Sequence, residues 1–114
     1  MLLSLVAREL SLKPLTSDLA GWEDIEVKGG FCSDLLSVVM AEAAQGDLWI
    51  TRQVHLNVIA VAALGELAGI IVSGKMPAPE TIAKAVIEKV PMFYSQEPAF
   101  TIAGKLYCLL NSDS

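Results

Sequence analysis

The chain has 114 residues, enough for one hydrophobic core and too few for two domains. Apolar residues make up 54% of it and charged residues only 18%, against about 45–50% and about 25% in an ordinary soluble domain. Eight basic and thirteen acidic residues give a net charge of −5 with no basic block, which excludes a nucleic-acid footprint and argues against anionic membranes.

A domain this small cannot hide so much apolar surface inside one core. Either a partner covers the excess, a homodimer being the simplest case, or a sheet buried on both faces absorbs it.

Leu2, Leu3, Val6, Ala7 and Leu10 recur at helical spacing and predict a helix over residues 2–11. The opening run to Ala7 lacks the basic start of a signal peptide, and Arg8 and Glu9 interrupt it, so an amphipathic helix is expected there. Lys13-Pro14-Leu15-Thr16 reads as a short extended piece, because the residue before a proline disfavours helix. Ser17 to Asp24 reads as a loop carrying Gly21 and Trp22. Ile25 to Phe31 is expected to be a strand interrupted by Gly29-Gly30. Ser33 or Asp34 should then cap a helix from Leu35 to Ala44, striped by Leu35, Leu36, Val39 and Met40.

Gln45-Gly46-Asp47 is the turn into a strand over Leu48 to Ile50. The next helix is expected over Leu56 to Leu67, with Leu56, Ile59, Ala60, Ala63, Leu64 and Leu67 on its buried side. Val58, Val61 and Ala62 make it apolar nearly all round, so it should be buried on two sides and carry the dimer contact. Val54 to Val72 is a nineteen-residue apolar stretch that includes Gly65-Glu66-Leu67-Ala68-Gly69, a GxxxG match. Glu66 argues against a membrane span, and a buried helix followed by a strand from Gly69 to Val72 fits better. Lys75-Met76-Pro77-Ala78-Pro79 is a loop, and residues 80–89 form a helix with Ile82, Val86 and Val90 inward. Glu80 and Lys84 stand four apart on it in the favourable order for an ion pair. Met92-Phe93-Tyr94 is the last strand, Phe100 to Leu110 the last helix, and Asn111 to Ser114 a frayed tail. Strand and helix thus alternate, which predicts an α/β domain of three α/β/α layers around a mostly parallel sheet.

Here the residues resemble a known family. Gly46-Asp47-Leu48-Trp49-Ile50-Thr51, Ala60 to Leu64, Gly69-Ile70-Ile71-Val72-Ser73-Gly74, Pro79-Glu80-Thr81 and Phe100-Thr101-Ile102-Ala103-Gly104-Lys105-Leu106-Tyr107 follow one another as in a DRTGG domain. The resemblance covers residues 31–110. Such modules are similar to the N-terminal domain of HPr kinase/phosphorylase and occur inserted in CBS-containing pyrophosphatases. It implies a single DRTGG-like domain over 1–114, with residues 1–24 as an N-terminal helix and loop and 25–110 as the α/β core. At the namesake positions the chain departs from the family: His55 and Asn57 stand near the place of Asp-Arg, and Ser73-Gly74-Lys75 in place of Thr-Gly-Gly. The resemblance implies a role that is mostly regulatory or unassigned, and the kinase activity of HPr kinase belongs to a separate P-loop domain.

No catalytic constellation is legible. Gly69 to Lys75 has the G-x4-G-K spacing of a P-loop, but Met76 stands where Ser or Thr should hold magnesium, and the intervening residues read as a buried strand. His55 is the single histidine and reads as a loop or cap residue before it reads as an acid/base. Cys32 and Cys108 are expected to be reduced and mostly buried; with His55 they make no recognisable metal spacing. Trp22 and Trp49 have apolar neighbours and should pack in the core or an interface.

The site expectation is topological, since parallel sheets bind ligands beyond the carboxyl ends of their strands. Those ends carry Ser33 and Asp34, then Thr51, Arg52, Gln53, His55 and Asn57, then Ser73, Gly74 and Lys75, then Ser95 and Gln96. Arg52, Lys75 and helix N-termini could hold a nucleotide or phosphorylated metabolite there, with Thr51, His55, Asn57, Ser73 and Gly74 as neighbours; alternatively these are the ordinary polar ends of strands. The expected function is therefore a non-enzymatic, cytoplasmic, homodimeric module acting on a partner enzyme, or else a sensor of a small anionic ligand. No cofactor, metal, nucleic acid or membrane is expected.

Overall fold

The computed structural model describes residues 1–112. Its elements are α1 (Leu3–Glu9), β1 (Lys13–Pro14), a single 3-10 turn (Trp22–Asp24), β2 (Gly29–Cys32), α2 (Leu36–Glu42), β3 (Asp47–Thr51), α3 (Asn57–Leu64), β4 (Gly69–Ser73), α4 (Pro79–Ile87), β5 (Met92–Ser95) and α5 (Ala99–Leu110). The sheet order is β1-β5-β4-β3-β2, with β2 to β5 parallel and the two-residue β1 antiparallel to β5. The mostly parallel α/β architecture is the expected one.

Alternation along each strand divides the core into two halves. Leu48, Ile50, Ile71 and Phe93 face α1 and α5, where Leu3, Val6, Ile102 and Leu106 meet them. Trp49, Ile70, Val72 and Met92 face α2, α3 and α4, where Val39, Val58, Ile59, Ala62 and Ala85 meet them. Both faces of β3 and β4 are thus covered, as the near-continuous apolar strands require. Buried Thr16 ties the N-terminal segment to this sheet: its Oγ1 accepts the Met92 N–H at 3.0 Å. No helix among the described residues is long and apolar enough to cross a membrane.

Several local expectations are corrected. Gly29-Gly30 does not interrupt a strand; it begins one, and Ile25 to Lys28 lies before it. A Cβ on Gly30 would sit 2.8 Å from Leu106 Cδ2 and one on Gly29 2.8 Å from Asp47 Oδ1, so either would displace the end of that side chain. On α3 the inward residues are Val58, Ile59, Val61 and Ala62, whereas Ala60 and Leu64 of the expected inner stripe face outward, Leu64 being 77% exposed. A helix apolar on every side carries no periodic signal to choose its inner face. Lys84 pairs with Glu88 at 3.3 Å rather than with Glu80. On α4, Thr81 and Ala85 are the buried residues, while Ile82 and Val86 are half-buried.

Three helices end on a left-handed residue that is not glycine: Ser11 after α1, Glu66 after α3 and Lys89 after α4. In each case the next residue donates its N–H back into the helix, Leu12 to Ala7, Leu67 to Ala62 and Val90 to Ala85, and its apolar side chain turns into the core. Gly65 therefore precedes the left-handed position rather than filling it. The expected tail, Asn111 to Ser114, falls partly outside the described residues.

Candidate functional site

The parallel register brings the carboxyl ends of β2 to β5 to one edge of the sheet, with Cys32 beside Ile50, Thr51 beside Val72 and Ser73 beside Ser95. Thr51, Ser73 and Ser95 are buried there. Their hydroxyls are occupied by the protein itself. Thr51 Oγ1 donates to Asp34 Oδ1 at 2.8 Å, and the same oxygen accepts the Arg52 N–H at 2.8 Å. Ser73 Oγ donates to the Glu97 carbonyl at 2.7 Å, and Ser95 Oγ accepts the Glu97 N–H at 3.2 Å. His55 Nδ1 accepts the Asn57 N–H at 3.1 Å, so this histidine closes the first turn of α3. Asp34 is not a helix cap. It latches the loop after β2 to the loop after β3, while Ser33 Oγ accepts the Leu35 N–H at 3.1 Å.

The topology explains why this edge is full. Helices α2 to α4 return over one face, whereas α5 leaves β5 over the other, so the loops after β4 and β5 diverge. Such divergence is where an open sheet forms its crevice. Here Gly74, at φ +82°, donates its N–H to the Ser95 carbonyl at 2.8 Å, and with the Ser73–Glu97 bond it closes the crevice. Arg52, His55, Asn57 and Lys75 lie on the exposed rim around it. The five principal clefts of the described surface are lined by other residues. Gly69 to Ser73 is a fully buried strand, which is no phosphate cradle.

Two clefts of about 390 Å³ flank α5. One lies on the α5 face beside the end of β5, between Ser11, Lys13, Ser95 and Lys105. Lys105 Nζ is held there by both Glu97 carboxylate oxygens at 3.0 Å. The other is an apolar groove between the edge strand β2 and α5, floored by Gly30 and walled by Ala103, Leu106, Tyr107 and Leu110. Neither was legible in the sequence, because each joins residues some 70 to 90 positions apart.

No protein-family model matches the sequence, and no curated protein does. A solved structure does match: the CBS and DRTGG domains of the regulatory region of a Clostridium perfringens pyrophosphatase, in complex with its activator diadenosine tetraphosphate. The superposition has a TM-score of 0.65 at 16% identity and covers 91% of this chain. The chain shares that fold. It spans 46% of the length of the matched chain, so the likeness covers under half of that regulatory region.

Both cysteines are free and, against expectation, exposed. Cys32 lies on the outermost strand, where only one side is covered by a neighbour, and Cys108 lies on the outer part of α5. Partial burial and, secondarily, the negative charge of Asp34 push the Cys32 thiol up from its ordinary value. The folded state therefore holds the proton longer than the unfolded chain. The resulting stabilisation is complete below the ordinary thiol range of about 8.5 and is lost as pH rises above it. Alkylation of Cys32 at mildly alkaline pH is expected to run slower in the native protein than in the urea-unfolded chain, and Asp34→Asn should narrow the gap. Equal rates would contradict that environment. Mass spectrometry of the peptide containing Cys32 reads the rates.

Proposed function

We propose that the chain is a DRTGG-like regulatory module, a homodimer that acts on a partner enzyme through its surfaces rather than through an active site. The observation that carries this reading is a contrast between two parts of the surface. At the strand ends, the buried hydroxyls are consumed by bonds within the protein. On the helices, large apolar side chains are left in solvent: Leu35 and Met40 around α2, Leu64 on α3, Phe100 and Tyr107 on α5. Contiguous apolar surface marks interaction sites, and Met40 and Leu64 share one cleft while Tyr107 walls another. The likeness to a regulatory region supports the same reading, and such a module would work in the cytoplasm. The outer side of α3 with Met40, on the opposite side of the sheet from α5, is the surface offered to the partner enzyme.

The first test is the molar mass by light scattering across a dilution series. The reading expects twice the 12.2 kDa chain mass at the concentrated end. A mass of one chain throughout would contradict it.

A second reading, a sensor of a small anionic ligand, is favoured by the nucleotide activator bound to the similar structure and by the exposed polar rim of Arg52, His55, Asn57 and Lys75 around Thr51, Ser73 and Gly74, with Arg52 and Lys75 as its cations. A nucleotide or phosphorylated metabolite present at a hundred times its dissociation constant stabilises by about 2.7 kcal/mol, a shift of roughly ten degrees for a domain of this size. The sensor reading expects such a shift and its loss in the Arg52→Ala, Lys75→Ala double variant. No shift across a panel of these compounds, or a shift that survives the double change, sinks it.

A further inference from the structure

We infer that the dimer is built on α5, by antiparallel packing of two copies about a two-fold axis at Gly104, with Phe100 of each chain entering the β2–α5 groove of the other. The inference rests on the homodimer reading above and says where its interface lies.

Three observations fall on one side of one helix. Ile102 and Leu106 point α5 into the core. On the opposite side stand Phe100, 89% exposed, Gly104, and Tyr107, 71% exposed. Gly104 is the outermost position, and a Cβ placed there would meet nothing within 4 Å among the described residues. Its φ is not in the left-handed region, so neither a turn nor a close contact within the chain calls for glycine. Glycine in an exposed helix interior is less stable than alanine. That cost is unexplained by the single chain and is explained by a second backbone coming close.

The features on either side of Gly104 complement each other under a two-fold rotation. Phe100 is a knob about 6 Å along the axis in one direction, and Tyr107 is about 4.5 Å in the other, at about 1.5 Å per residue. Tyr107 is also a wall of the apolar groove. Antiparallel pairing with Gly104 at the axis therefore places each Phe100 level with the partner's groove, on the side of the helix where the groove opens. A two-fold interface requires that knob and hole lie on the same surface in this way. The helix itself brings little charge to the contact: Lys105 is the sole charged residue of α5 and is tied to Glu97 of its own chain, while Lys28 stands on the β2 side of the groove. A contact centred on a helix of about 18 Å is at the small end of specific interfaces, so dissociation in the micromolar range is expected.

The test is sedimentation of wild type, Gly104→Arg, Phe100→Ser and Leu64→Lys, each checked for wild-type circular dichroism. The inference expects Gly104→Arg to be monomeric, Phe100→Ser to dissociate at least about tenfold more readily, in line with loss of a central aromatic anchor, and Leu64→Lys to behave as wild type. Gly104→Ala should weaken the dimer while raising the melting temperature of the diluted monomer, a pair of effects that a merely structural glycine would not give. A dimer that survives Gly104→Arg and Phe100→Ser overturns the inference, and if Leu64→Lys breaks it the interface lies on α3 and the homodimer reading stands. A monomeric wild type overturns both.

Discussion

Trp49→Ala is expected to cost about 3–5 kcal/mol, as for other large-to-alanine changes in packed cores, out of a total of about 5–15 kcal/mol for a domain. Trp49 sits in the middle of β3 with no exposure and is the largest wholly buried side chain. It fills the space between α2 and α3, where Val39, Val58 and Ile59 belong to the same cluster. Its Nε1 donates to the Ser33 carbonyl at 2.8 Å, so the ring also fixes the chain leaving β2. Truncation opens a cavity and leaves that carbonyl without its donor. Trp49→Phe keeps most of the volume and loses mainly the hydrogen bond, so a cost nearer 1 kcal/mol is expected. Urea denaturation followed by circular dichroism measures both. An alanine variant that unfolds with wild type would mean that α2 and α3 are not held as described.

Phe93→Ala probes the opposite layer, with a similar expected loss of about 3–5 kcal/mol. Phe93 lies in β5 between Pro14 of β1 and Ile71 of β4. Its ring meets Trp22 edge-on, with centroids 5.5 Å apart and planes at 67°; such a pair adds about 0.5–1.5 kcal/mol beyond area burial. The effect should also be local. Trp22 loses its aromatic partner while Trp49, on the other face, keeps its surroundings. Tryptophan emission is therefore expected to shift red in Phe93→Ala under conditions where the domain is still folded, and Trp22→Phe should remove that shift. An unshifted spectrum in the folded variant would contradict the packing of the N-terminal segment on β5.

The alternation of strands and helices was legible because it depends on element type, which apolar runs and glycine or proline punctuation report well. What the sequence left open was orientation. Helix α3 reads apolar all round, and only the sheet beneath it selects Val58, Ile59 and Ala62 over Ala60 and Leu64. The left-handed ends at Ser11, Glu66 and Lys89 carry no glycine to announce them. Lys13-Pro14 was legible as extended chain; its antiparallel pairing with Phe93 and Tyr94, on which the N-terminal segment depends, was not.

The site was legible in part. Sequence order and the strand-end rule correctly bring Thr51, Ser73 and Ser95 to one edge. They could not show that Asp34, Glu97 and Ser95 would consume the hydrogen-bonding capacity of that edge, since each bond joins separate loops. Asp34 is the clearest example. It stands where a helix cap would stand, yet its carboxylate bridges to Thr51 and Arg52, seventeen and eighteen residues on. Gly104 is the reverse case: its position inside a helix is plain from the sequence, while its open surroundings depend on how α5 sits on the sheet.

On this reading the chain works through its helical surface. A dilution series of amide NMR spectra tests it most directly, because it reports self-association residue by residue. Dilution is expected to move the resonances of Phe100 to Asn111 and of Lys28 to Cys32, while those of residues 51–57 and 73–75 stay fixed. Shifts confined to the strand-end loops, or spectra unchanged at every concentration, would contradict it.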